Sequence, residues 1–297
     1  MTRQTRNWLI ALLVIYSVPV FVVGGIIAFL ALRPLPPLVP PPNPNAYDDL
    51  VKAGQMVSTN TGNYAKLGAP QLRTLAATNA AALSLARDAL DGPCRVPVQY
   101  SQTNWSLTTG NVSKLRLLSQ AFAAEGKLAE LDKRSGKAAG CDMDLIRLGA
   151  DSARGGILID AMIGSSIESI GSADLVKLAS QLDAPTCRDA AATLERLDAE
   201  KPSWDGVMKQ EDDWIRRTFG MRAVLVEFIF HRQVKRSGMR TQKSYQAEQL
   251  KLRRLMIDFA ARAFELEKGH RPASAAELVP EYLKAVPKNP TTGKNLN

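Results

Sequence analysis

The sequence predicts an all-α protein: a single N-terminal transmembrane helix, a proline-rich spacer, and a helical-hairpin bundle with a proline-containing C-terminal clasp. Three observations carry this expectation. Alanine and leucine dominate, aromatics are only 6% of the 297 residues, and β-branched runs are short, which leans helical. Residues 8–32, "WLIALLVIYSVPVFVVGGIIAFLAL", hold no charge. Beyond them, leucine and alanine recur at three- and four-residue spacing, the period of a helix with one buried face.

The uncharged stretch is longer than the roughly 20 residues that cross a bilayer as a helix. Arg3 and Arg6 precede it, and basic residues beside a first span stay cytoplasmic. A cleaved signal peptide would have a shorter apolar region ending in small residues, where Phe29 and Leu30 stand here. The expected organisation is therefore a cytoplasmic tip at 1–7, a transmembrane helix at 8–32, a proline-rich linker at 33–45 and an extracytoplasmic helical domain at 46–297. That places the chain in a bacterial cell membrane as a single-pass protein, with the lipid bilayer as its partner through 8–32. Seven of the 11 residues from Pro34 to Pro44 are proline. Such a run adopts polyproline II at about 3 Å per residue, a rod of roughly 30 Å.

Asn45 is placed to cap a first helix, with Asp48 and Asp49 in its first turn, where the helix dipole favours acids. Pro70 to Leu90 reads as one alanine-rich helix with Leu72, Leu75, Leu83, Ala86 and Leu90 on its apolar stripe, ended by Gly92-Pro93. Cys94 to Leu107 reads as an extended loop. Helical spacing resumes at Val112 through Leu115, Leu118, Phe122, Leu128 and Leu131, turns at Gly136, and continues over Lys137–Leu148 as the second arm of a hairpin. This hairpin is faintly similar to a tetratricopeptide-type unit, without a second copy at that period.

"GGILIDAMIGSSIESIG", Gly155 to Gly171, predicts a buried helix. Its Asp160 and Glu168 are eight residues apart, about 12 Å along a helix, too far to share one site unaided. Further helices are expected at Ala173–Leu182, at Cys187–Glu200, after the cap Ser203, and at Leu252–Glu267. In "QEDDWIRRTFG" the pairs Asp212–Arg216 and Asp213–Arg217 have the stabilising acid-before-base order, with Trp214 on the packed side. "AVLVEFIF", Ala223 to Phe230, is expected to pack in the core, with lying on a membrane as the alternative.

The net charge of +9 is unevenly spread. Residues 34–200 carry 16 basic and 18 acidic side chains, a balance of −2, whereas 201–297 carry 19 and 11, a balance of +8. Within His231–Arg254 stand Arg232, Lys235, Arg236, Arg240, Lys243, Lys251, Arg253 and Arg254 against the single acid Glu248. The run is expected either to be a solvated helix face or to attract an anionic surface or acidic protein partner; nucleic acid is disfavoured by the expected location.

Cys94, Cys141 and Cys187 fit no metal spacing. They read as three buried apolar side chains, as one disulfide with a thiol left over, or as a reactive thiol. The only histidines are His231 and His270, and the chain contains no Gly-x-Ser-x-Gly, His-Glu-x-x-His, Cys-x-x-Cys or phosphate loop. No catalytic residue, metal or cofactor is expected.

The ending "LRRLMIDFAARAFELEKGHRPASAAELVPEYLKAVPKNPTTGK" runs from a helix through a Gly-x-x-Pro turn and Val-Pro-x-Tyr-Leu-x-x-Val-Pro to Asn-Pro-Thr-Thr-Gly-Lys. It resembles the part of type II secretion pseudopilins where a long helix leads through Gly-x-Tyr-Pro, Leu-x-x-Pro-Tyr-Leu and Asp-Pro-x-Gly. Asn289 replaces the aspartate of that pattern, and the prepilin peptidase signature is missing from the N-terminus. The resemblance thus implies an accessory of a secretion or pilus-like apparatus rather than a pilin subunit. "PCRVP", "IRLGADSARGGILID" and "QEDDWIRRTFG" are together similar to uncharacterised membrane-anchored helical proteins of planctomycete- and verrucomicrobium-like bacteria, which implies an envelope location and no reaction. The terminal segment itself is expected to be an ordered clasp, with Val279, Tyr282, Leu283 and Val286 packed on the preceding helix. The functional expectation is a membrane-anchored scaffold or partner-binding protein, ahead of the secretion accessory and of an envelope enzyme with an unrecognised site.

Overall fold

The computed structural model describes residues 8, 17, 21–22, 24–25, 34–58, 64–101 and 105–297; of residues 105–109 and 221–237 only the backbone is described. The described residues are helical, with a single isolated bridge, Lys288 to Asn295, as their only β pairing. Among them no helix is long and apolar enough to cross a membrane. This corrects the expectation of a single-pass membrane protein with an extracytoplasmic domain. Most of residues 8–32, where the span was placed, lie outside the described residues.

Asn45 caps α1, Ala46–Met56, its Oδ1 accepting from the Tyr47 amide. The same side chain accepts from the Arg95 amide at 3.0 Å and donates to the Arg95 carbonyl at 2.9 Å. One residue thus starts a helix and ties it to the loop after α3. The stretch expected as one helix is two, α2, Ala69–Thr78, and α3, Ala80–Leu90. Asn79 stands at the break, 1% exposed, accepting from the Ser58 amide and donating to the Leu75 carbonyl. A short polar side chain that bonds nearby backbone competes with the helix ladder, which explains the interruption.

α4, Trp105–Leu131, starts ahead of the expected Val112. It turns into α5, Ser135–Ala153, through Asp132, Lys133 and Arg134, with Lys133 at φ 57°, so Gly136 lies inside α5 rather than at the turn. α6, Leu158–Leu178, continues past Gly171 and Ala173 and ends in a 3-10 turn, Ala179–Gln181. α7, Ala184–Glu200, begins three residues before Cys187, because Asp183 caps it on the Thr186 amide and Pro185 fits a first turn, where its missing N–H costs nothing. α8, Trp204–Phe219, is capped by Ser203 on the Gly206 amide. α9, Met221–Lys268, runs for 48 residues, about 72 Å, and stops at Gly269, whose φ of 77° few other residues adopt.

α5 and α6 form the spine on which two cores are built. Their glycines let the backbones nearly touch. A Cβ on Gly149 would lie 2.5 Å from the Gly164 carbonyl oxygen, and one on Gly164 would lie 2.4 Å from that of Gly149. One face of the pair, with Leu145, Leu148 and Ile167, packs on α1, α3 and α4 through Leu50, Leu83, Leu118 and Phe122. The other, with Ile146, Leu175 and Leu178, packs on α7 and α9 through Leu194, Leu255, Met256 and Phe259. The terminal segment closes this second core. Leu278, Tyr282 and Leu283 are buried in it, Val279 packs against it, and Val286 is half-buried.

Candidate interaction surface

α9 repeats its apolar residues so that one face is inside. Tyr245, Gln249, Leu252, Leu255, Met256 and Phe259 are buried there. At about 100° per residue, Arg240, Lys243, Lys251 and Arg254 fall together on the opposite face, where all four are exposed. From Arg240 to Arg254 the stripe extends about 21 Å along the helix. Lys251 pairs with Glu248 at 2.7 Å, whereas Arg240, Lys243 and Arg254 make no ion pair among the described residues. Met239, half exposed, adds an apolar contact beside Arg240.

Not every basic residue of the run belongs to this face. Arg253 points inward, its Nε donating to both oxygens of Asp198 on α7 at 2.9 and 3.0 Å and its Nη1 to the Lys288 carbonyl of the clasp. It is a structural cross-link between α7, α9 and the C-terminus. Arg232, Lys235 and Arg236 lie on the α9 backbone within residues whose side chains are outside the description; Arg236 stands one turn before Arg240. The side chains of Ala223 to Phe230 lie outside it as well.

The remaining candidates separate rather than converge. Cys94, Cys141 and Cys187 are free and buried, on the loop after α3, on α5 and on α7. Burial pushes all three thiols up, Cys141 to about 12 and Cys187 to about 11, the opposite of what a nucleophile needs. Asp160 caps α6 by accepting from the Ile157 amide at 2.9 Å, and burial raises its carboxyl to about 6. Glu168, on the same helix, instead forms a buried ion pair with Lys201, whose ammonium lies 5.3 Å from the centre of the Tyr245 ring. His270 is exposed in the turn after α9, edge-on to Phe264. Among the described residues no three His, Cys, Asp or Glu side chains gather where they could hold a metal ion.

Two features had no signal in the sequence. Arg87 donates to Glu125 at 2.6 Å and to Asp144 at 2.8 Å, linking α3, α4 and α5, with Lys137 also on Glu125 at 2.9 Å. Asp142 on α5 is buried, and its Oδ2 has no hydrogen-bond partner among the described residues. Both join residues far apart in the chain, where no spacing rule reaches.

Comparison with models of known protein families, with curated proteins and with solved structures found no match for this chain. The two resemblances read from the sequence therefore rest on the residues quoted for them.

Proposed function

We infer that the chain is a helical scaffold that binds an acidic protein partner along the exposed basic face of α9. The observation that carries this reading is the row of exposed cations Arg240, Lys243 and Arg254 on one face of α9, none of them in a direct ion pair among the described residues. Arg253 is bonded to a carboxylate of another helix; among the described residues these three form no such direct bond, and Asp258, one turn beyond Arg254, is the acid that acts on Arg254. Arg240 and Lys243 stand one turn apart on the same face and repel one another, a cost that an acidic partner would return. The excess of +8 in residues 201–297 gives the same end of the chain a long-range attraction for acids.

The test is a triple variant, Arg240→Glu, Lys243→Glu and Arg254→Glu, assayed with a fluorescent poly-glutamate peptide and with affinity capture of cellular partners. The wild type should bind the peptide more weakly as salt rises, the variant should lose binding, and the captured partner should carry an acidic surface whose neutralisation also breaks the complex. Equal binding by the variant would overturn the reading. Binding of anionic vesicles but not of the peptide would replace it with a lipid-surface reading.

A further inference from the structure

Asp142 sits where three helices meet. Its backbone is under α6: a Cβ on Gly171 would lie 2.4 Å from the Asp142 carbonyl oxygen. Its side chain faces α4 at Gly126, where an added Cβ would be 3.5 Å from Oδ1 and 3.3 Å from the Cβ of neighbouring Cys141. Asp142 is only 3% exposed, and its Oδ2 has no hydrogen-bond donor among the described residues. Leaving a buried carboxylate oxygen without a donor is expensive when the group is charged and far less so when it is neutral.

The groups that act on it explain why no donor arrives. From α6 come Asp174 and Lys177, from α4 Glu130, and from the 3-10 turn Tyr64–Lys66 the phenol of Tyr64. Lys177 is the one cation among them, and it is already held by Asp174 at 2.6 Å. The two carboxylates and the low-dielectric surroundings all favour the protonated form.

We propose that the α4–α5–α6 junction around Asp142 is a proton-linked contact: closing it takes up a proton on the Asp142 carboxyl and opening it releases that proton to water. Burial, reinforced by Asp174 and Glu130, holds the closed-state carboxyl up at about 8, against an ordinary value near 4 when it is exposed. A carboxyl that binds its proton more tightly when closed makes opening easier as pH rises between those two values; above the higher one the effect levels off. The junction is thus tightest in acid and becomes progressively looser toward neutrality. Gly126, whose missing side chain lets α4 approach Cys141 and Asp142 closely, is the part of α4 that must move away for the carboxyl to reach water.

The experiment is amide hydrogen exchange of the full chain from pH 5 to 9, corrected for the intrinsic rate, on wild type and Asp142→Asn. Peptides covering residues 120–130 and 138–146 should lose protection by up to tenfold per pH unit in the wild type, levelling off above about pH 8. The same peptides in the variant should show no such slope, while peptides from α7 and α9 behave alike in both proteins. A direct carbon-13 titration of the Asp142 carboxyl in the wild type provides a readout that does not depend on the variant folding. A midpoint below pH 6, or equal slopes in the two proteins, would overturn the proposal.

Discussion

The guanidinium of Arg188 on α7 lies 4.0 Å from the centre of the Tyr282 ring in the C-terminal clasp, and both side chains donate to the carboxylate of Glu267 at the end of α9. Arg188 also donates to the Glu281 carbonyl at 3.0 Å. Three parts of the chain, spread over nearly a hundred residues, are tied at one point. Arg188→Ala should lower stability by about 1 kcal/mol, the scale of a partly exposed stacked and paired arginine. Limited proteolysis after Gly269 should accelerate with it. Arg188→Lys should rescue little, because an ammonium cannot make the forked contact with Glu267.

The glycine contact between α5 and α6 gives the next expectation. Gly164→Ala places a methyl against the Gly149 carbonyl and the Ala153 side chain, and backbone cannot move aside as a side-chain tip can. Overpacking of this kind costs about 1–3 kcal/mol, so the thermal midpoint should fall by several degrees. Gly140→Ala, on an open face of α5, should leave it unchanged or raise it.

Neighbouring arginines on α9 should behave oppositely. Arg253→Ala removes the cation bonded to the half-buried Asp198 carboxylate and should destabilise the fold by about 1–3 kcal/mol in chemical denaturation. Arg254→Ala touches nothing inside and should stay within about 0.5 kcal/mol of the wild type. If acidic partners dock on the outer face, Arg254→Ala should weaken that binding and Arg253→Ala should do so only through unfolding.

The stability of the whole chain should peak in weak acid. Burial raises Asp151 and Asp160 to about 6, so the folded state holds their protons more tightly than the unfolded chain does. Their ionisation costs stability at and above pH 6, and that cost is relieved as pH falls toward the unfolded carboxyl value near 4. Glu125 and Glu267 have the opposite sign. Their hydrogen bonds to Arg87 and Arg188 hold them low, Glu267 to about 2, and their contribution is lost once pH falls below the ordinary glutamate range. Thermal unfolding should therefore show a midpoint that rises from pH 8 to about pH 5 and drops below about pH 4.

The three thiols should be silent in the native protein. All are buried and their ionisation is pushed upward, so a thiol reagent at neutral pH should label none of them until denaturant is added, after which three react per chain. Rapid native labelling of Cys141 would mean that the α4–α5 contact opens often.

What could be read in the sequence was local. The leucine and alanine spacing around Phe122 and Phe259 marks helices and their buried faces, because helical period and burial are written in neighbouring residues. Asn45, Ser203 and Gly269 were visible as ends for the same reason: a cap needs only the residue and its own turn. Reading Gly136 as a turn and Gly171 as a stop failed, since a glycine signals a break and a close helix contact with the same letter. Only the helix packed against it distinguishes the two. The basic run on α9 was legible as composition, but its division into an inward Arg253 and an outward Arg254 was not.

By itself, the sequence determined the all-helical character, the helix caps, the ordered C-terminal segment and the concentration of positive charge in the last third of the chain. Each follows from propensities and periodicities that act over one or two helical turns. Tertiary structure decided which charges are spent inside the fold and which are left outside, where α5 and α6 touch, and that Asp142 is enclosed without a donor. Those outcomes depend on distances between residues dozens of positions apart, which packing sets and no local pattern encodes.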